Sequence, residues 1–155
     1  MLRYQFATAI NCIDGRTQLP LISWARREFN VGHLDMITEP GAVKMLNQGN
    51  TEEVEKIKQK VALSVNAHRS RLIIIAGHHD CAANPMTEND HRKQIGNSVK
   101  LINSWQLPAQ VIGVWIDENW HVQPILNSSF SSLSLWLCKD LYIKSSNITA
   151  KGRHL

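Results

Sequence analysis

The sequence predicts an α/β fold in which a mainly parallel β-sheet is flanked by helices. Residues 72–76 form a continuous aliphatic run, which is typical of a strand covered on both faces. Segments with strand spacing alternate along the chain with segments of helical spacing, and this alternation favours a parallel sheet. At 155 residues the chain is long enough to bury a core without a disulfide or a structural metal.

The individual elements follow from apolar spacing and from residues that start or stop them. Asn50 with Glu53 three residues later predicts a capping box, and Thr87 with Asp90 predicts a second helix start. Gly77 is expected to end the central strand. The predicted strands cover residues 4–11, 34–38, 72–76 and 111–116; the predicted helices cover 21–29 after Pro20, 50–69 and 87–105; a loop is expected from Cys12 and a break at Pro40-Gly41.

We expect a single domain over residues 1–145 and a flexible tail over residues 146–155. Residues 127–145 fit strand and helical spacing equally well, so their structure is left open. Trp105 and Trp115 lie on inward faces of predicted elements and are expected to pack in the core.

Composition argues against several classes of function. Seventeen Lys and Arg against 13 Asp and Glu give a net charge of only +4, which does not predict nucleic-acid binding. No window approaches the ~18 apolar residues that span a bilayer, so no membrane partner is expected. The first residues lack the pattern of a signal peptide, and a cytoplasmic location follows as an expectation. Three cysteines in a reducing compartment then predict metal ligands, nucleophiles or core residues, and Cys138 is expected to be core.

Residues capable of chemistry follow two of the predicted strands. Cys12, Asp14 and Arg16 follow the first strand, and His78 and Cys81 follow the central strand. If these strands are neighbours, Cys12, His78 and Cys81 can converge, because ligands gather outside the carboxyl ends of parallel strands. Two thiolates and one imidazole are a ligand set of catalytic zinc. The set therefore predicts an open Zn²⁺ site and a hydrolytic or hydrating reaction, since zinc lowers the pKa of its water to about 7.

Asp14 and Arg16 are the candidate catalytic residues beside this site. In extended backbone Asp14 points the same way as Cys12, and Arg16 can pair with its carboxylate. The paired carboxylate can accept the proton of a hydroxide in a hydrogen bond. The competing interpretation is that Asp14 and Arg16 form an ordinary loop ion pair and that the thiols are buried core residues. His79 is expected to face solvent or to contact a ligand from behind, and not to be a ligand itself. The other histidines are expected at the surface: His33, His68, His91, His121 and His154.

Two motifs resemble a known family. Cys12-Ile-Asp14-Gly-Arg16 resembles the Cys-x-Asp-x-Arg signature of the β-carbonic anhydrases, and Gly77-His78-His-Asp-Cys81 resembles their Gly-His-x-x-Cys. Both occur in the family's order, and residues 113–122 are similar to its fourth strand with a following hairpin. The resemblance covers roughly residues 4–126.

The resemblance implies zinc on Cys12, His78 and Cys81, and reversible hydration of carbon dioxide to bicarbonate by zinc-bound hydroxide. It implies that Asp14 and Arg16 form the dyad that orients this hydroxide; in some members the aspartate itself ligates zinc. It also implies a homodimer or higher homo-oligomer with active sites near the interface. Apolar residues available for such an interface are Leu133, Leu135, Trp136 and Leu137.

Departures from the family pattern leave other functions open. The family's serine between aspartate and arginine is Gly15, its Arg-Asn-Ala-Gly-Asn segment retains only Gly41, and its glycine after the second cysteine is Ala82. One alternative is a zinc-binding scaffold or sensor of this fold without carbon dioxide hydratase activity. Another is a hydrolase of carbon disulfide or carbonyl sulfide, which are equally small, linear and apolar.

Overall fold

The structure is a computed structural model, and it describes residues 4–125 of the 155-residue chain. The expectations for residues 127–145, for the tail, for Cys138 and for the apolar interface residues lie outside this range. In chain order the elements are β1 (Tyr4–Cys12), α1 (Gly15–Phe29), β2 (Val31–Glu39), α2 (Ala42–Gln48), α3 (Thr51–Ala67), β3 (Leu72–His78), α4 (Glu88–Ser104), β4 (Gln110–Ile116) and β5 (Val122–Ile125).

The five strands form one sheet in the order β2-β1-β3-β4-β5. The first four strands are parallel, and β5 runs antiparallel to β4 as the second strand of a hairpin. This confirms the predicted mainly parallel α/β sheet and the hairpin after its fourth strand. Because β1 and β3 are neighbours, the residues that follow them meet at one edge of the sheet.

Side chains alternate between the two faces of the sheet and divide the core into two layers. Ile73 and Ile75 of β3 pack in a cluster with α2, α3 and α4, whereas Leu72 and Ile74 pack in a cluster with α1. All four side chains are fully buried. The continuous aliphatic run in β3 therefore marks a strand covered on both faces, as its sequence predicts.

The start of α1 differs from the prediction. The helix begins at Gly15, five residues before Pro20, and β1 continues through Cys12 in place of the expected loop. Asp14 caps the helix by accepting a hydrogen bond from the Arg16 backbone, and the Thr17 hydroxyl donates to the Asp14 carbonyl at 2.7 Å. These contacts start the helix early enough that Pro20 falls within it, where its ring removes one helical hydrogen bond.

Packing also explains a short helix that the sequence does not predict and the position at which β3 ends. α2, which the sequence does not predict, has only seven residues and follows Pro40-Gly41 directly; it buries Ala42, Val43 and Leu46. β3 does not end at Gly77 but continues through His78. A Cβ at Gly77 would lie 2.8 Å from Ile95 of α4, so this glycine permits close helix packing and does not mark a break.

The predicted helix caps are confirmed. Asn50 and Glu53 form a reciprocal capping box at the start of α3, with hydrogen bonds of 2.9 and 3.0 Å. Thr87 caps α4 through the backbone of Asp90. Within residues 4–125, no helix is both long and apolar enough to cross a membrane.

Asp117 stabilises the turn between β4 and β5. Its Oδ1 accepts hydrogen bonds from the backbone of Asn119 at 2.9 Å and of His121 at 2.8 Å, and its Oδ2 accepts one from the Gln123 amide at 2.8 Å. Burial alone would raise the pKa of Asp117, but the hydrogen bonds from His121, Asn119 and Gln123 hold the pKa below its ordinary value.

We predict that this carboxylate makes the hairpin sensitive to acid. Because the folded-state pKa is lowered, its stabilising contribution is present above the unfolded pKa of about 3.9 and is lost as pH falls through the folded pKa. Asp117→Asn should lower the free energy of unfolding at pH 7 by about 1–3 kcal/mol, and that deficit should shrink toward pH 3. Urea unfolding at both pH values measures it, with Glu118→Gln in the same turn as the control. A deficit that does not change with pH would contradict the assignment.

Candidate metal centre

Three predicted ligands converge at the carboxyl ends of β1 and β3. Cys12 is the last residue of β1, His78 is the last residue of β3, and Cys81 lies in the turn three residues later. One ligand atom of each lies within 4.8 Å of the others, and all three residues are buried. The parallel pairing of the two strands thus brings together residues that are 66 and 69 positions apart (78 − 12 and 81 − 12).

The donor atoms fit a tetrahedral metal such as zinc. The two Sγ atoms are 3.8 Å apart, and two thiolates at about 2.3 Å from one tetrahedral ion are separated by about this distance. His78 Nδ1 lies 2.7 Å from the His79 carbonyl, so Nδ1 carries the proton and donates it. In the neutral ring Nε2 then holds a lone pair, and it is buried without a hydrogen-bond partner among residues 4–125. Histidines that ligate metals are commonly oriented in this way by a backbone carbonyl.

The same surroundings favour a thiolate at Cys12. Its Sγ shares a hydrogen bond with the Cys81 sulfur, in which either thiol can be the donor, and it accepts one from the Gly41 backbone N–H at 3.5 Å. The hydrogen bond from Cys81 lowers the pKa of Cys12, and the same bond raises the pKa of Cys81. Burial alone would lower the pKa of His78, but the interaction with the Cys12 sulfur and the carbonyl of His79 raises it. Since metals bind the deprotonated thiol, Cys12 is prepared as a ligand.

Gly41 has a structural role that its place in a Pro-Gly break does not reveal. Its φ is +59°, and a Cβ at this position would lie 3.2 Å from backbone and side-chain atoms of Ala83. Glycine is therefore favoured both by the left-handed backbone and by the close approach of the turn after β3. This conformation directs the Gly41 N–H toward the Cys12 sulfur.

Asp14 and Arg16 form an ion pair at the start of α1. Arg16 Nε lies 3.0 and 3.1 Å from the two carboxylate oxygens of Asp14, and Arg16 Nη2 lies 2.6 Å from Oδ2. These hydrogen bonds from Arg16 lower the pKa of Asp14 to about 2 and raise the pKa of Arg16. The Asp14 carboxylate is engaged by Arg16, and Asp14 is not one of the three residues of the ligand group.

Comparison with known proteins agrees with the two motifs. The sequence model of the family described as "Putative carbonic anhydrase" matches residues 2–126. The chain is a divergent member of the β-carbonic anhydrase family. No curated protein sequence matches it significantly.

Solved β-carbonic anhydrases share the fold at low sequence identity. The isoform I enzyme of Trichomonas vaginalis is 16% identical with a TM-score of 0.53, covering 81% of this chain and 84% of that chain. The enzyme of Aspergillus fumigatus is 11% identical with a TM-score of 0.55, covering 88% and 82%. Tetrameric enzymes of Sordaria macrospora are 10% identical with a TM-score of 0.52, covering 81% and 82%. At these identities the likeness shows the carbonic anhydrase fold.

A buried histidine beside the three predicted ligands was not predicted. The expectation of a surface position for His91 is wrong, because the residue is 3% exposed and lines the same small cavity as the three predicted ligands. Burial lowers the pKa of His91, which favours a neutral ring. His91 lies four residues before Ile95 on the inward face of α4, and this helical spacing was the signal available in the sequence. His33, His68, His79 and His121 are exposed as predicted.

Asn84 connects the turn after β3, which contains Cys81, to α4. The residue is 2% exposed, and its backbone N–H donates to the Cys81 carbonyl at 3.0 Å. Its side-chain Nδ2 lies 3.2 Å from His91 Nδ1 and 2.8 Å from Gln94 Oε1. Donation to both acceptors places the His91 proton on Nε2. Trp115 is buried, as predicted, and its ring centroid lies 5.2 Å from that of His91. Trp105 is half-buried.

We predict that Asn84→Ala destabilises the carbonic anhydrase fold by about 1–3 kcal/mol, because two buried acceptors lose their donor. Chemical denaturation measures the change in the free energy of unfolding. Asn119→Ala, at an exposed asparagine whose side chain makes none of these contacts, is the matched control and should change stability by less than about 0.5 kcal/mol. Equal stability of the two variants would contradict a connecting role for Asn84.

Proposed function

We propose that the chain is a zinc-dependent lyase that reversibly hydrates carbon dioxide to bicarbonate. The observation that carries the proposal is the convergence of Cys12, His78 and Cys81 around the unpartnered Nε2 of His78, beside the Asp14–Arg16 pair. The family match and the fold of its solved relatives support the same conclusion. The alternatives, a zinc-binding scaffold and a hydrolase of carbon disulfide or carbonyl sulfide, become outcomes of the assay below.

The chain's own residues divide the work of such a reaction. Cys12, His78 and Cys81 would hold the metal, and three protein ligands are the number found in catalytic zinc sites. A zinc ion there would act as a Lewis acid and lower the pKa of a water molecule to about 7. Asp14, ionised at neutral pH because its pKa is about 2, can accept a proton of the attacking water in a hydrogen bond and orient its lone pair. Arg16 fixes this carboxylate.

The cavity suits a small substrate. Its volume is about 10 Å³, which is room for about one water-sized molecule, and besides the polar residues it is lined by Ala42, Val43 and Ala76. These aliphatic side chains would accept a linear apolar molecule better than a charged one. An aliphatic lining would therefore favour the uptake of apolar carbon dioxide and the release of charged bicarbonate.

The assembly and the location of the protein are part of this proposal. A homodimer or a higher homo-oligomer is supported by the fold shared with the tetrameric enzymes of Sordaria macrospora. The proposed location is the cytoplasm, where a reducing environment would keep the thiols of Cys12 and Cys81, 3.8 Å apart, in their ligand form. The small-molecule substrate remains the proposed partner, with no nucleic acid or membrane.

We predict that the purified protein contains about one zinc ion per chain, because two thiols and an imidazole form a preferred zinc ligand set. The combined variant Cys12→Ser, His78→Ala and Cys81→Ser should lose this zinc. Elemental analysis of the dialysed proteins measures it, and Cys138→Ser is the control for loss of a cysteine outside the set. Zinc that stays stoichiometric in the combined variant would place the metal elsewhere.

We predict that Asp14→Asn keeps zinc but lowers turnover roughly ten- to a thousandfold, the range of one positioned catalytic group. The amide can still form hydrogen bonds, but it loses the charge that pairs with Arg16. Stopped-flow hydration of carbon dioxide by zinc-loaded protein between about pH 6.5 and 9 measures the change, with Glu118→Gln as the control.

Three results of this assay would change the conclusion. If the wild-type protein and Asp14→Asn hydrate carbon dioxide equally well, the dyad has no catalytic role. If the wild-type protein is inactive toward carbon dioxide but hydrolyses carbonyl sulfide or carbon disulfide, the hydrolase is the correct function. If it is inactive toward all three, the scaffold is the better interpretation.

A further inference from the structure

Arg16 makes contacts on three sides of its guanidinium group, and Asp14 accounts for only one of them. The Nε and Nη2 edge binds the Asp14 carboxylate. On another edge, Nη1 donates to Asp80 Oδ2 at 3.2 Å, and Nη2 lies 3.4 Å from the Asp80 carbonyl. The planar face lies over Trp120, with Cζ 4.9 Å from the ring centroid. Asp80 and Trp120 therefore complete a cradle around Arg16.

The sheet places both cradle residues beside the dyad. Asp80 lies in the turn after β3, and Trp120 lies in the turn between β4 and β5. β3 and β4 pair in parallel up to His78 and Ile116, so the turns that follow them are adjacent. The His79 backbone N–H donates to the Ile116 carbonyl at 2.8 Å and joins the two turns directly.

Both cradle residues also have a positive φ, the left-handed backbone conformation. The φ of Asp80 is +55° and that of Trp120 is +62°; within residues 4–125, only five non-glycine residues have a positive φ. For a bulky residue such as tryptophan this left-handed conformation is an outlier. It persists where the surrounding contacts hold it, and such residues cluster at functional sites.

Arg16 needs these additional contacts to stay in one orientation. Its side chain is 49% exposed, and that of Asp14 is 20% exposed. An exposed ion pair alone is weak, because two flexible side chains must be held in one geometry against solvent. The planar guanidinium is fixed when its second edge and its face are also occupied.

We propose that Asp80 and Trp120 are positioning residues of the dyad: they orient the Arg16 guanidinium so that Nε and Nη2 face both oxygens of Asp14. They act through Arg16. The catalytic consequence of this orientation rests on the proposed function, whereas the orientation itself does not.

The orientation can be measured without any turnover. Hydrogen exchange of the Arg16 Nε–H, followed by nuclear magnetic resonance on the full chain, reports how long the guanidinium stays bound. Asp80→Gly and Trp120→Gly should accelerate this exchange roughly two- to fivefold, the range of one exposed ion pair or cation–π contact. Glycine accepts the left-handed φ at both positions, so the backbone of each turn can keep its conformation.

Two control variants separate orientation from general effects. Gln106→Gly replaces another residue of positive φ, +53°, in the turn after α4. Glu118→Gln removes a negative charge from the exposed turn that contains Trp120. Both should leave Arg16 exchange at the wild-type rate. Asp80→Asn should be intermediate, because its amide oxygen can still accept from Arg16 Nη1.

Turnover supplies the second measurement. Asp80→Gly should lower the kcat of carbon dioxide hydration about tenfold with little change in KM, as expected when a catalytic group is misplaced. Asp80→Asn should restore part of the loss.

The outcomes distinguish the positioning role from the proposed function. Wild-type exchange rates in Asp80→Gly would overturn the positioning role, even if carbon dioxide is hydrated and even if Trp120→Gly does not fold. Faster exchange in a protein that shows no wild-type turnover would retain the positioning role and reject the proposed function. Faster exchange with lower kcat supports both.

Discussion

The parallel pairing of β1 with β3 is the constraint on which the metal centre depends. Thr8, Ala9 and Ile10 pair with Ile73, Ile74 and Ile75, so both strands end at the same edge of the sheet. A shift of one residue in this register would turn the side chains of one strand to its opposite face and separate the two halves of the site. Because the two faces of β3 pack against different helices, that shift would also move each of its side chains into the opposite layer of the core. The hydrophobic core therefore fixes the geometry of the ligands.

The start of α1 links the helix to the chemistry of the dyad. Asp14 Oδ1 accepts from the Arg16 backbone as the helix cap, and the same carboxylate accepts from the Arg16 side chain. One aspartate thus ends the turn after β1, starts the helix and forms the ion pair. Asp80 and Trp120 approach Arg16 from the turns after the neighbouring strands, so three separate parts of the chain meet on one guanidinium.

Behind the ligands lies a polar layer that carries little charge. Asn84, His91 and Gln94 are buried, and burial favours the neutral form of His91. A neutral imidazole would avoid placing a second positive charge beside a metal cation bound by Cys12, His78 and Cys81. The hydrogen bonds of Asn84 satisfy these buried groups and hold the turn that carries Cys81 against α4. The residue Asn84 thereby connects the turn that contains Cys81 to helix α4.

The sequence by itself determined the features that depend on local signals. Apolar spacing identified four strands and the helices α3 and α4, capping residues located their starts, and two short motifs supplied the ligands, the dyad and the family. Residues 4–125 contain all of these features, and their order along the chain was sufficient to place Cys12, His78 and Cys81 at strand ends.

Only the tertiary structure decided the features that depend on distant neighbours. Pro20 within α1, the short helix α2 and the continuation of β3 past Gly77 each contradict a local signal, because a cap or a packing partner elsewhere outweighs it. The burial of His91 is not among these features, because its spacing of four residues from Ile95 on the inward face of α4 already indicated it. The contacts of Arg16 with Asp80 and Trp120 join residues that are 64 and 104 positions apart in the sequence (80 − 16 and 120 − 16). No periodic pattern in the sequence specifies a contact over such a separation. The order of the strands in the sheet specifies it, because it places the turns after β1, β3 and β4 side by side.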